Sequence, residues 1–216
     1  MKITKFPQSH LNIAKEGHQI IIDPGSFTFQ KVLPDGSQGF KVEQFQDADA
    51  FLITHIHPDH LGPDTIKALA GDKLVYGNYD VVSKLKTLGV EGVVIRNGEE
   101  LEIAGFKVKA VDLPHFPFLP GIKMPPNTGF IIDEIFFDPG DGYKIDGLSV
   151  DNAALPIGHP FVSTMSVLEF AKSLNAKTII PIHYDAYPRD PEELKKIAEQ
   201  IGIEVRILNS GEETEI

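Results

Sequence analysis

The stretch "LITHIHPDHLGPD", residues 52–64, places three histidines and an aspartate within six positions, directly behind a short apolar run. His55, His57, Asp59 and His60 carry imidazole and carboxylate, the donors that suit zinc and its neighbours. Two readings compete: a metal-binding turn, or a solvated polar turn in a chain that holds eight histidines in all. A short motif alone is a hypothesis. The apolar "AFLIT" at 50–54 reads as a strand, and a tight turn at a strand end can aim several side chains into one cavity. If strand geometry persists beyond Thr54, His55 and His57 face the same way. Asp59 and His60 then come from the following turn and can address a second ion nearby.

Outward from this motif, short runs rich in Ile, Val and Phe recur: "IIID" at 20–23, "KLVYG" at 73–77, "GVVIR" at 92–96 and "FKVKAVDL" at 106–113. "GFIID" at 129–133, "IFFD" at 135–138, "AALPIG" at 153–158, "TIIPIH" at 178–183 and "EVRIL" at 204–208 follow. Their length and β-branched content predict strands. Helices are expected over 64–70, 79–88, 164–174 and 191–201. The last opens on Asp190 as a cap with Pro191 at its first position and stops at Gly202. Strands alternate with helices in the middle and at the C-terminus, whereas 92–138 is nearly all strand. That mixture predicts sheets packed face to face with helices outside, in one domain over residues 1–216.

The composition narrows the function classes. A chain of 216 residues with 42% apolar content can bury a sizeable core. A formal charge of −11 disfavours nucleic acid, whose phosphate backbone is bound by clustered Lys and Arg. It leaves room for a small anionic substrate, because a metal ion can dominate the field of a pocket. With no cysteine there is no disulfide framework and no thiolate nucleophile. The opening "MKITKFPQSHLNIAKEGHQ" lacks an apolar signal core, and no run approaches a membrane span. The expected location is the cytoplasm, with no membrane partner. The oligomeric state, a homo-oligomer included, stays open.

A metal centre draws ligands from elsewhere in the chain, and three candidates end apolar runs. His115 closes "KVKAVDLPH", Asp141 closes "IFFDPGD" and His183 closes "TIIPIH". A lone histidine at a strand end is more often structural. Three such residues, in a chain already holding His-x-His-x-Asp-His, point to ligation.

These pieces, together with "IIIDPG" at 20–25, "THIHPDHLG" at 54–62, "FFDPGDGY" at 136–143 and "DNAALPIG" at 151–158, resemble the metallo-β-lactamase fold superfamily. Within it, Thr164 and Met165 after "ALPIG" resemble the metal-dependent hydrolases similar to L-ascorbate-6-phosphate lactonase. The resemblance implies an α+β fold, a four-layer αββα sandwich of two mixed sheets flanked by helices, with the site at one edge. It implies two divalent ions, zinc first, with manganese and iron accepted by the same ligand set. His55, His57 and His115 would hold one ion, Asp59, His60 and His183 the other, and Asp141 would bridge them. Asp23 would support the site from behind as a hydrogen-bond acceptor, unless it is a turn aspartate before Pro24-Gly25.

Two departures from the family pattern stand out. The bridging aspartate usually sits in a Gly-Asp-Thr turn, whereas this chain has Pro139-Gly140-Asp141-Gly142. Asp138 therefore competes with Asp141, which is preferred. His159, after the Pro-Ile-Gly turn, either lines the pocket or lies at the surface. His10 and His18 match nothing and are expected to be exposed.

Three neutral imidazoles would leave an ion with an open position, where a bound water can lose its proton near neutral pH. Asp59 can orient that nucleophile or pass a proton to the leaving group. The expected activity is hydrolysis of a lactone or other ester-like bond, or of a phosphodiester, in a small molecule. The Pro-rich segment 114–126 is a long loop. Around it Phe116, Phe118, Lys123, Met124 and Asn127 offer apolar walls and one cation, unless the loop only packs on the sandwich edge. A nuclease similar to the tRNA 3′-processing enzymes is disfavoured by the net charge. A non-catalytic metal-binding protein is disfavoured because all seven ligand positions carry competent residues.

Overall fold

The computed structural model describes residues 1–33, 36–117, 121–159, 162–186 and 189–216. Phe118, one of the predicted substrate contacts, lies outside the described residues. Two seven-stranded sheets form the body. The first holds β1 (Lys2–Lys5), β2 (Leu11–Lys15), β3 (His18–Ile22), β4 (Ala50–Ile53), β5 (Val75–Gly77), β6 (Gly92–Val94) and β14 (Glu213–Glu215). The second holds β7 (Glu100–Ile103), β8 (Phe106–Asp112), β9 (Thr128–Ile132), β10 (Phe136–Asp138), β11 (Asn152–Pro156), β12 (Thr178–Ile182) and β13 (Glu204–Val205).

Both sheets are built alike. In the first, β14, β1, β2 and β3 pair antiparallel, and β3, β4, β5 and β6 pair parallel. In the second, β7 to β10 pair antiparallel, and β10 to β13 pair parallel. Parallel neighbours need crossovers, and among the described residues α1 (Pro63–Ala70), α2 (Tyr79–Leu88), α3 (Thr164–Ser173) and α4 (Pro191–Glu199) each lie in one. Asn78 caps α2 by accepting from Val81 N at 3.1 Å, and Ser163 caps α3 by accepting from Ser166 N at 3.1 Å. Asp190 caps α4 from Glu192 N at 2.9 Å, ahead of Pro191.

Strand alternation sorts the apolar residues into layers. Ile20 and Ile22 of β3 face the second sheet, where they join Leu52, Phe106, Val108, Phe130 and Ile180 in the central core. Ile21 between them faces outward and packs with Phe51, Ile66, Leu69, Val81 and Leu85 beneath α1 and α2. Ile131, Phe137, Leu155 and Ile179 do the same beneath α3 and α4 with Val167, Phe170 and Leu194. Each such fully buried side chain contributes roughly 1.5–3 kcal/mol. The result is the four-layer αββα sandwich.

The helices fall where the periodicity predicts them, within two residues at each end. β1, β2, β7 and β14 were not anticipated. In β1 and β2 polar and apolar residues alternate over only four and five positions, "KITK" and "LNIAK", too short a run to stand out. His18 is exposed as expected, but His10 is not: it is fully buried. The β1–β2 connection turns inward, and His10 Nδ1 meets Thr28 Oγ1 at 3.0 Å and Nε2 meets Asn12 Oδ1 at 2.9 Å. Phe6, Phe29 and Phe45 surround the ring. With both nitrogens satisfied, a buried neutral imidazole is tolerated.

Candidate metal centre

The sheet pairing explains how residues far apart in sequence meet. β3 and β4 run parallel, and β8, β10, β11 and β12 share one direction, so their C-terminal ends lie together on each sheet. The predicted ligands, Asp23 and His159 follow these ends: Asp23 after β3, His55 to His60 after β4, His115 after β8, Asp141 after β10, His159 after β11 and His183 after β12.

β4 stops at Ile53, so strand geometry does not carry His55 and His57 to one face. Hydrogen bonds set the loop instead. Asp23, whose φ of +48° is left-handed, accepts from Thr54 N at 2.8 Å and from Thr54 Oγ1 at 2.6 Å. Its Oδ2 also lies 2.6 Å from His60 Nδ1. Thr54 Oγ1 in turn lies 3.0 Å from His55 Nδ1. Asn78 Nδ2 donates to the Thr54 carbonyl at 3.1 Å. Gly25 passes so near that a Cβ there would collide with the Asp59 carbonyl, which accounts for glycine in "IIIDPG". Asp23 therefore supports the loop from behind, and Thr54 shares that role, which the sequence reading missed.

These outer bonds fix which ring nitrogen faces inward. Nδ1 of His55 and of His60 is engaged by Thr54 and Asp23, and Nδ1 of His115 by the Phe116 carbonyl at 2.7 Å. Their Nε2 atoms are left to the cavity. His55 Nε2 and His115 Nε2 lie 3.0 and 3.2 Å from His57 Nδ1. Asp141 Oδ2 lies 3.7 Å from His55 Nε2 and 3.4 Å from His115 Nε2, while its Oδ1 lies 3.3 Å from His60 Nε2 and 3.7 Å from His183 Nε2. Asp59 Oδ2 completes the second cluster 3.0 Å from His183 Nε2. Two donor groups, His55–His57–His115–Asp141 and Asp59–His60–His183, thus stand side by side with Asp141 between them, and Asp141, His159 and His183 form a third, overlapping group.

Asp138 belongs to none of these donor groups. Its Oδ1 accepts from Gly140 N at 2.8 Å, inside the turn that carries Asp141. Asn127 secures that turn, accepting from Asp141 N at 3.0 Å and donating to the Pro139 carbonyl at 2.9 Å. Asn127 does line the groove beside the site, as the sequence suggests, and its amide also holds the turn of the aspartate.

Electrostatics separates the two clusters. Burial pushes His55, His57 and His115 down, His115 to about 4, so all three are neutral and able to donate a lone pair. Burial also acts on His60 and His183, but there the carboxylates of Asp141, Asp23 and Asp59 outweigh it and raise both. Asp59 and Asp141 would be raised by burial, yet His183 and His60 hold both below the usual carboxylate range. The donor set fits divalent cations. Buried His60 Nε2 and Asp141 Oδ1 have no hydrogen-bond partner, and lone pairs packed at 3.0 to 3.2 Å are reconciled by a cation among them.

In front of the donors lies a cavity of about 290 Å³, walled by Ile122, Lys123, Met124 and His159. It opens toward a groove of about 460 Å³ along Pro114, Pro125 and Pro126. His159 is buried, stacked between His183 at 4.6 Å and Phe116 at 5.8 Å. Its Nε2 is 2.9 Å from Asp141 Oδ2 but not aligned for a hydrogen bond. Among the described residues no helix is long and apolar enough to cross a membrane.

Comparison with known proteins agrees with this architecture. The pattern of the beta-lactamase superfamily domain matches residues 2–183. A UPF0173 metal-dependent hydrolase of Pyrococcus abyssi is 33% identical over 196 residues, covering 82% of this chain and 85% of the relative. One from Methanopyrus kandleri is 29% identical, with both chains covered in full. Among solved structures, Igni18, a metallo hydrolase from Ignicoccus hospitalis, superposes with a TM-score of 0.78 at 21% identity, covering 100% of this chain and 98% of its own, and so shares the fold. With that breadth of match added to a donor cluster at the shared sheet edge, the chain belongs to the beta-lactamase superfamily domain family and, within it, to the UPF0173 metal-dependent hydrolases.

Proposed function

We propose that this protein hydrolyses a small molecule at a centre of two divalent ions, zinc first among the candidates. His55, His57 and His115 would hold one ion and Asp59, His60 and His183 the other, with Asp141 placed to serve both. The observation that carries this reading is the position of Asp141, whose two oxygens face different histidine pairs across the centre. Divalent ions in such a site supply Lewis acidity, polarising a substrate oxygen and acidifying a water molecule.

The chain's own groups do the rest. Asp59 is kept a carboxylate by its His183 partner and borders the cavity, so it can accept a hydrogen bond from the attacking water and orient it. His159 borders the cavity, where its ring packs against a bound substrate. Lys123, exposed at the rim shared by cavity and groove, receives an anionic substituent. The bond cleaved is ester-like, as in a lactone, or a phosphodiester, and the protein works in the cytoplasm without nucleic acid or membrane.

A screen of zinc- and manganese-reconstituted protein over lactones, phosphodiesters and thioesters, with elemental analysis alongside, tests this. One to two equivalents of metal and turnover of one class are expected. Failure to bind metal after reconstitution would falsify the centre, and metal without turnover on any class would make the protein a binding module.

A further inference from the structure

The two donor groups are not carried by one sheet. Asp59 and His60 hang from β4 in the first sheet, and His183 follows β12 in the second. Asp59 Oδ2 and His183 Nε2 nevertheless hold a separation of 3.0 Å. The shared core sets the spacing of the sheets, and a direct tie between the two loops would fix that gap more finely.

The β1–β2 connection, Phe6 to His10, supplies one. Gln8 is fully buried with a left-handed φ of +60°, a conformation a glutamine keeps only when its surroundings hold it. Three bonds run from it to the segment after β12. Its carbonyl accepts from His183 N at 2.9 Å, its N–H donates to Asp185 Oδ2 at 2.8 Å, and its side-chain Oε1 accepts from Ala186 N at 3.0 Å. His183 itself takes a left-handed φ of +59° under this grip. The neighbouring Ser9, also buried, reaches the other way and donates from Oγ to the Asp59 carbonyl at 2.9 Å. Lys5, fully buried at the end of β1, anchors the arrangement by pairing with both Asp185 oxygens at 3.1 Å. Adjacent residues of one loop thus hold Asp59 from one sheet and His183 from the other.

We propose that Gln8 and Ser9 are positioning residues that set the Asp59–His183 separation, and through it the affinity of that side of the centre for its ion. The proposal rests on the two-ion reading above. Neither residue touches the ions or the cavity; they act on donors from behind, where lost bonds typically cost about tenfold to a hundredfold in metal affinity.

The test titrates Zn²⁺ alone into chelator-treated protein, in competition with a chromophoric chelator, for wild type, Gln8→Gly and Ser9→Ala. Glycine suits the left-handed φ and keeps the backbone bonds of position 8, so folding is preserved while the Ala186 bond is lost. Asp185 is left alone, because neutralising it would strand the Lys5 ammonium in the interior. Wild type is expected to bind in two steps. Each variant should weaken one step about tenfold and leave the other within about twofold, with the double variant weaker again at the same step. Equal weakening of both steps, or two unchanged steps in both variants, overturns the positioning role while leaving the two-ion reading intact. A wild type that takes up a single ion overturns the two-ion reading, and the positioning proposal with it.

Discussion

Two buried histidine environments lie in the first half of this chain, and they are opposites. Around His10 both ring nitrogens have neutral partners, Thr28 and Asn12, and three phenylalanine rings enclose them. Around His55, His57 and His60 the outward nitrogens are satisfied by Thr54 and Asp23 where they point back into the fold, while inward nitrogens face one another and the carboxylate of Asp141. The first arrangement is complete without help. The second gathers lone pairs and negative charge at one point, which only a cation completes. Burial is common to both, so burial does not mark a functional histidine; the direction of the unsatisfied atoms does.

The largest test of the contrast lies at Asp59. Asp59→Asn keeps the shape of the loop but removes a charge from the cavity floor, and turnover of whichever substrate the screen identifies should fall about a thousandfold or more. Near-normal turnover would take Asp59 out of the mechanism. Next comes the bridge. Asp141→Asn should lower occupancy of one ion in elemental analysis of the purified protein, and Asp138→Asn should leave both. If only the Asp138 variant loses metal, the bridging residue has been misassigned. The counterpart on the other side is His10→Ala. It should cost about 3 kcal/mol in chemical denaturation, from lost packing and two stranded partners, with metal content unchanged. Loss of metal in that variant would erase the distinction between the two environments.

The same contrast explains what was legible in the sequence. The candidate donor residues were, because the dense "HIHPDH" turn and each apolar run ending in His or Asp are local signals, and the fold brings them together. The two-sheet arrangement was too, since short runs rich in Ile, Val and Phe announce strands. The burial of His10 was not. Its partners Thr28 and Asn12 are ordinary residues on other segments, and no local pattern says that a β1–β2 turn folds inward. The Gln8 and Ser9 contacts were hidden for the same reason: apart from one to the Asp185 carboxylate, they are bonds to backbone atoms of Asp59, His183 and Ala186, which any residue would provide. The choice between Asp138 and Asp141 hinged on a turn whose shape depends on Asn127, more than ten residues away in sequence.

The smallest effect tests the His10 environment through pH. Burial, only partly offset by the Asn12 bond, lowers the pKa of His10 to about 3 from its ordinary 6.5. The unfolded chain therefore takes up a proton at this residue between those two values, while the folded chain does not. Stability from the buried neutral ring is fully present above about pH 6.5 and drains away as pH falls toward 3, by at most about 1.4 kcal/mol per pH unit. Other groups titrate in the same window, the histidines of the metal centre among them, so wild type alone cannot isolate the effect. The difference between wild type and His10→Gln can, because glutamine offers a donor and an acceptor but never charges. Denaturation of both proteins at pH 7.5, 6.0 and 5.0 should show the wild-type advantage shrinking by about 1–2 kcal/mol across the series. An advantage constant with pH would mean that His10 takes up a proton in the fold as readily as in the unfolded chain. Thr28 Oγ1 and Asn12 Oδ1 would then both accept from a cationic ring at low pH, and the neutral environment that sets it apart from the metal centre would be gone.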